Sequence, residues 1–234
     1  MRSIWRTLGR RLARDIALVC LADLIVGVSF GAITIASGLP MWLPMLLSVV
    51  VFAGAAQFIF VGIVASGGNP FAAMAAGLLV NGRHVPFGFA VADVFGRGLG
   101  RRLIGSHLMV DETVAFALAQ SDQRRRRAAF WACGLALFVC WNVGVLLGAA
   151  GGALVDDTDA LGLDAAFPAV LLALVLPSLR ERGGVRLPAL AGALVALAAA
   201  PFLPAGLPVL LALVGILAGL GRAPRVIPDA EIAS

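Results

Sequence analysis

Apolar residues in this chain run in long uninterrupted blocks. Four stretches, Leu24–Gly82, Ala128–Val155, Ala165–Leu179 and Leu187–Gly221, contain no acidic or basic residue. A helix that crosses a bilayer takes about 20 mostly apolar residues, and the period-two alternation of a membrane barrel is absent. The pattern predicts an all-α integral membrane protein. Cutting it at Gly/Pro and charge clusters gives eight candidate helices. These are Ile16–Ser37, Trp42–Ser66, Pro70–Val94, Leu103–Gln120, Ala128–Leu154, Leu163–Leu179, Leu187–Ala200 and Leu207–Gly221. The last two come from one uncharged run, too long for a single crossing and divided by "PFLPAGLP" (Pro201–Pro208). Leu103–Gln120 is short and carries Asp111 and Glu112, so the count is seven or eight transmembrane helices.

Composition agrees: 61% of residues are hydrophobic, 13% are charged, and the mean hydropathy is +0.99. Soluble domains are nearer half apolar and a quarter charged. The net charge of +5 comes from Arg alone, since the chain has no Lys. The Arg residues cluster at the ends of apolar blocks, where they set topology, so nucleic acid is not the expected partner. Clusters at the N-terminus, Arg124–Arg127, Arg180–Arg186 and Arg222–Arg225 are expected in the cytoplasm, with "DDTDALGLD" (Asp156–Asp164) outside. Eight crossings satisfy this with both termini cytoplasmic. One loop departs: "GRGLGRR" (Gly96–Arg102) falls outside by parity despite three Arg, unless the segment after it is re-entrant. The expected division is a basic tail over residues 1–15, a transport domain over 16–221 with halves near 16–120 and 128–221, and a tail over 222–234. Cys20, Cys133 and Cys140 lie in apolar segments without CxxC spacing, so neither a metal nor a cofactor is implied.

A faint repeat supports two halves. "VCLADLIVGVSFGA" (Val19–Ala32) and "VCWNVGVLLGA" (Val139–Ala149) share a GVxxGA core, and "GGNPFAAMAAGLLVN" (Gly67–Asn81) loosely matches "GGVRLPALAGALVA" (Gly183–Ala196). Such halves run parallel if the fourth segment spans and inverted if it does not, and transporters place substrate sites between them.

Polar residues inside apolar segments are the candidate chemistry, because they are costly there. Gln57 follows the small residues "AGAA" (Ala53–Ala56) and is either a helix-packing amide or a substrate ligand at an opened helix. Asn81 and His84 share a helical face, Arg83 lies beside them, and Pro86 frees backbone carbonyls just upstream. Asp111 and Glu112 are the expected partners of Arg83. His107, four residues before Asp111, is read as sharing its face in an acid–imidazole proton relay. Asp23 is a lone acid in the first helix, expected to pair with an Arg across the bundle. No hydrolytic triad, phosphate loop or HExxH motif appears, so the chain does not read as an enzyme.

The motifs "AGAAQF" (Ala53–Phe58), "LLVNGRHVPFG" (Leu78–Gly88), "DETVAFALA" (Asp111–Ala119), "GLDAAFPAVLLALVLPSLR" (Gly162–Arg180) and "GLPVLLALVGILAGLG" (Gly206–Gly221) resemble the AzlC family, large subunits of branched-chain amino acid permeases. The likeness covers about Ile16–Gly221. Two positions depart from the family pattern: Val110 stands where Thr is common, and "CLADLIVG" (Cys20–Gly27) replaces a Pro near a Gly-Tyr pair. The resemblance implies a multi-pass inner-membrane exporter of valine, leucine and isoleucine, coupled to the proton gradient and working with a small hydrophobic subunit of the AzlD type. Expected substrate contacts are then Gln57, Asn81, Arg83, His84, Asp111 and Glu112, with His84, His107 and Glu112 as proton carriers. A scaffold subunit that moves no solute, or an exporter of another small metabolite, shares the same sequence features.

Overall fold

The computed structural model describes residues 4–152, 176, 179, 186–203, 207–212 and 214–217. The expected helix Leu163–Leu179, the acidic stretch Asp156–Asp164, most of the Arg180–Arg186 cluster and the tail 222–234 lie outside the described residues. All regular structure among the described residues is helical.

Among the described residues, two helices are long and apolar enough to cross a bilayer. In α1 (Ile4–Ala36), Gly9 in left-handed backbone separates a short lead from the continuous helix, and the candidate span Leu8–Ala36 has mean hydropathy 2.4. In α8 (Gln123–Gly152) the value is 2.0. The two make the most extensive helix contact among the described residues. Glycines set that contact. A Cβ on Gly144 would strike the Leu24 carbonyl, and one on Gly148 would strike that of Val28. Reciprocally, a Cβ on Gly27 would come 2.9 Å from the Trp141 carbonyl, and one on Gly31 would strike that of Val145. Numbers rise together along both helices, so α1 and α8 run parallel, with their two GVxxGA stretches facing each other. Small residues at this spacing let backbones approach closely.

The three apolar segments between them are each interrupted. Trp42–Ser66, expected as one helix, is α2 (Trp42–Val50) and α3 (Gly54–Ala65). Between them Phe52 is in left-handed backbone (φ 22) and Ala53 is extended. Pro70–Val94 is α4 (Pro70–Asn81) and α5 (His84–Phe95), with helical dihedrals retained at Gly82 and Arg83, so this segment bends without reversing. Leu103–Gln120 becomes α6 (Leu99–His107) and α7 (Asp111–Leu118), parted by an extended Val110.

Contacts along α8 reveal the direction of each piece. α6 begins beside the first turn of α8: a Cβ on Gly96 would lie 3.8 Å from both Arg101 and Arg127. At His107 it has climbed to Phe138, ring centroids 5.7 Å apart. α7 then returns, with Leu108 and Thr113 against Gly134 and with Val114 and Ala117 beside Phe130. From the opposite end, α2 descends past Asn142, which accepts from Ser48 Oγ at 2.7 Å, until Phe52 reaches Phe138 at 5.1 Å. α3 climbs back, bringing Phe58 to Phe30 of α1 at 5.2 Å. α3 and α4 lie antiparallel, with Ala56 on Gly77 and Ile63 clustered with Ala73. α5 ends where α8 begins: its last carbonyls, on Ala90, Asp93 and Val94, accept from Arg126, Arg127, Gln123 and Trp131. Cationic side chains at a helix C-terminus satisfy its orphan carbonyls.

The segment expected as a straight second helix, and the fourth, for which spanning and re-entrant readings were both open, are therefore hairpins that enter from opposite ends and turn back. Their tips meet, with Phe52 and His107 rings 6.0 Å apart. Only α4–α5 traverses the body between them. Beyond α8, the described residues form α9 (Arg186–Ala199), α10 (Leu207–Leu211) and α11 (Val214–Leu217). Gly192 packs on Ala212 and Gly215 on Pro188, so α9 is antiparallel to α10 and α11.

Candidate functional site

A cavity of about 360 Å³ lies where the interruptions converge. Its walls are one face of α1 (Val19, Ala22, Asp23, Val26), the first hairpin tip from Phe52 to Ala55 with Phe58, and Trp141 of α8. Arg83 and His84 enter from the α4–α5 bend, and Val110, Asp111 and Glu112 from the second tip. Charge is thus concentrated at interruptions and enclosed by aliphatic and aromatic surface.

Each interruption presents its polar group for a local reason. Pro86 has no N–H, and the Val85 N–H turns to the Gly82 carbonyl at 3.1 Å. The Asn81 carbonyl is released from the helical ladder and meets His84 Nδ1 at 3.0 Å. A carbonyl only accepts, so Nδ1 carries the hydrogen and Nε2 is the open nitrogen. Arg83 reaches across to the second tip, where its guanidinium lies 2.9 Å from Asp111. At that tip the Thr113 hydroxyl takes the Val110 N–H at 2.9 Å and donates to the Val110 carbonyl at 2.8 Å. Val110 sits at the helix cap without a side-chain acceptor, so the front of α7 lacks its usual cap.

The structure gathers Arg83, His84, Asp111 and Glu112 of the predicted site residues around the cavity and leaves three beside it. Gln57 is fully buried, donating to the Leu47 carbonyl at 3.1 Å and accepting from Trp141 Nε1 at 3.2 Å, so it ties both arms of the first hairpin to α8. Asn81 is half-buried outside the cavity wall, and its buried Oδ1 has no partner among the described residues. His107 packs against Phe52 with tilted rings and edge-on against Phe138 at the seam between the tips. The helical i, i+4 relation expected between His107 and Asp111 fails, because α6 ends at His107 and the extended Val110 intervenes.

Asp23, read from the sequence only as a lone acid awaiting an Arg, was left out of the expected contacts, yet the structure places it on the cavity wall, within electrostatic reach of Glu112. The Arg partner expected for it is missing among the described residues, whose ion pairs are Arg83–Asp111 and Arg126–Asp93. The signal was present: an acid in an otherwise uncharged apolar helix is a functional candidate by the same rule that singled out Arg83.

The family model described as AzlC protein matches residues 18–155, more than half of the chain, including every residue that lines the cavity. The chain belongs to the AzlC family. It is similar to the branched-chain amino acid transport protein AzlC of Bacillus subtilis (strain 168), with 29% identity over 79 residues, or 34% of this chain. That match spans only 31% of the relative's length. No solved structure matches the chain.

Proposed function

We propose that this chain is the large subunit of a secondary transporter that exports branched-chain amino acids through the cavity, driven by the proton gradient. The observation that carries this reading is the convergence of one guanidinium, one imidazole and three carboxylates on an apolar-walled space at mid-height, each brought there by α1 or by an interrupted helix. The family and the transport relative point the same way. Transporters use broken helices to expose polar groups at the membrane midplane. A zwitterionic amino acid needs a cation for its carboxylate and acids for its ammonium group, which Arg83 and Glu112 with Asp111 supply. Val19, Ala22 and Val26 form the aliphatic wall for a branched side chain. His84, through Nε2, and Glu112 are positioned to carry protons. Gln57 holds the first tip in place rather than touching solute.

In this reading α1, α4–α5 and α8 cross the inner membrane while the two hairpins enter from opposite faces. The loop with Arg97, Arg101 and Arg102 then joins Arg124–Arg127 on the cytoplasmic face, and the apparent exception to the positive-inside rule disappears. Both termini are cytoplasmic, and a small AzlD-type subunit completes the transporter.

Labelled leucine efflux from cells with and without this chain, each with the small subunit, tests the function. Efflux should depend on both subunits and be abolished in Arg83→Ala at unchanged membrane level. Gradient-driven export by that variant ends the substrate-site reading. Reporter fusions after Gly98 and after Ser121 test the hairpin: both should read cytoplasmic, whereas a spanning fourth segment puts residue 98 outside.

A further inference from the structure

We propose that Asp23 is the coupling residue, the carboxylate at which a proton and the solute's ammonium group exclude one another. The inference rests on the transport reading above and identifies where exchange occurs. Arg83 and Asp111 form a mutual pair at 2.9 Å, which leaves Glu112 and Asp23 as the cavity acids without an ion pair among the described residues. The two differ in setting. Glu112 occupies the first turn of α7, beside Asp111 and within reach of Arg83, where helix N–H groups also favour negative charge. Asp23 stands in the middle of continuous α1, where backbone N–H groups are committed to the helical ladder. Its neighbours on the wall are Val19, Ala22 and Val26. A carboxylate in such surroundings requires a positive partner or a proton.

Among the described residues, the groups facing Asp23 are few. The second tip contributes Asp111 and Glu112, and the α4–α5 bend contributes Arg83 and His84. The thiols of Cys20 on α1 and Cys133 on α8 are in electrostatic reach. The first tip adds no titratable group to the wall. With Arg83 engaged by Asp111 or by a solute carboxylate, the compensation for Asp23 comes from an occupant. A zwitterion brings an ammonium group to it, and its departure must be followed by a proton. Each outward solute movement is thereby balanced by inward return of a proton on the same carboxylate, which is antiport without a covalent step.

The test uses the two-subunit transporter in vesicles, with labelled valine as probe and two readouts: counterflow exchange at equal pH, and accumulation driven by a pH gradient. Asp23→Asn keeps an acceptor for the ammonium group and loses the exchangeable proton. Counterflow should persist with KM raised about tenfold, gradient-driven accumulation should vanish, and valine-induced proton flux read by a pH dye should vanish with it. Asp23→Glu should restore both. Gradient-driven accumulation by Asp23→Asn overturns the proposal. Loss of counterflow and accumulation together in Asp23→Asn, both restored by Asp23→Glu, also overturns it, since Asp23 would then bind solute without coupling. Absence of valine counterflow in the unaltered transporter brings down the transport reading itself, and this inference with it.

Discussion

The α1–α8 pair and the two hairpin tips solve the same problem in opposite ways. Backbone groups away from water need partners. Continuous helices satisfy them internally, and α1 and α8 use that independence to press their glycine faces together, with neither ion pairs nor side-chain hydrogen bonds between the facing GVxxGA stretches. The tips interrupt the ladder and recruit side chains instead: Gln57 donates to the Leu47 carbonyl, Thr113 bridges the Val110 N–H and carbonyl, and His84 meets the Asn81 carbonyl at the bend. One region derives rigidity from the absence of side chains, the other derives chemistry from their presence. Substitutions should therefore separate stability from transport according to region.

The largest effect is expected in the glycine pair. In Gly148→Leu the new Cβ overlaps the Val28 carbonyl, a backbone atom that cannot rotate away. The helices must separate, at a cost on the order of 3 kcal/mol or more, comparable with severe overpacking. Thermal unfolding in detergent should show a large drop, and little protein should accumulate in membranes. Gly151→Leu is the internal control, three residues away with nothing within 4 Å of its Cβ, and should melt like the parent. Equal behaviour of the two variants would remove the spine from the comparison.

At the tips the pattern should reverse. The Arg83 and Asp111 side chains are 39% and 43% exposed, so their pairing adds little to stability, with a double-mutant coupling of about 1 kcal/mol or less. Transport, by contrast, should be lost in Arg83→Ala. It should be strongly impaired in Arg83→Lys as well, because an ammonium group lacks the planar fork that engages a carboxylate at two points. Efflux assays paired with melting curves separate the two quantities. Normal efflux in Arg83→Lys would mean that the side chain contributes only its charge.

Gln57 tests whether a tip can be damaged structurally. It is fully buried, and Trp141 Nε1 depends on its Oε1. Gln57→Leu leaves that indole N–H without its acceptor, while the Leu47 carbonyl retains the Val51 N–H. A loss of about 1–3 kcal/mol follows, visible as a lower melting temperature, with solute KM nearly unchanged because the amide lies outside the cavity wall.

Much of this division was legible in the sequence. Uninterrupted apolar blocks bounded by Arg clusters marked α1 and α8, and Arg83 with Asp111 stood out as a costly complementary pair. The shared GVxxGA core reads in the sequence as a repeat between halves, and its use as the contact between α1 and α8 was not legible. The reversals were harder to read. Asp111 and Glu112 are a familiar first-turn signal, but in the sequence they served only to put the spanning of a short segment in question, not to start a new helix after a break. At the first tip Phe52, not a glycine, takes the left-handed conformation, which is imposed by packing on Phe138 and His107. Local preference cannot announce a conformation that only tertiary contact sustains. His107 was misread for the same reason: helical spacing is meaningful only while the helix continues.

The smallest expected effect sharpens the comparison from the stabilising side. Val110 caps α7 with no side-chain oxygen, although its extended backbone already has the conformation of a capping residue. Val110→Thr is close to isosteric and places a hydroxyl where it can accept from an early N–H of the helix. Thr113 continues to hold the Val110 N–H, so the exchange would complete a reciprocal capping arrangement. A gain of about 1 kcal/mol is expected, seen as a modest rise in melting temperature. Because Val110 also lines the cavity, the same hydroxyl adds a polar group to the solute wall beside Asp111 and Glu112. Stability and transport should then move separately: the melt shifts upward while competition by serine or threonine against valine efflux strengthens. A higher melt with no change in competition would place the new hydroxyl against the helix alone, and an unchanged melt would mean that the front of α7 already finds its partners elsewhere.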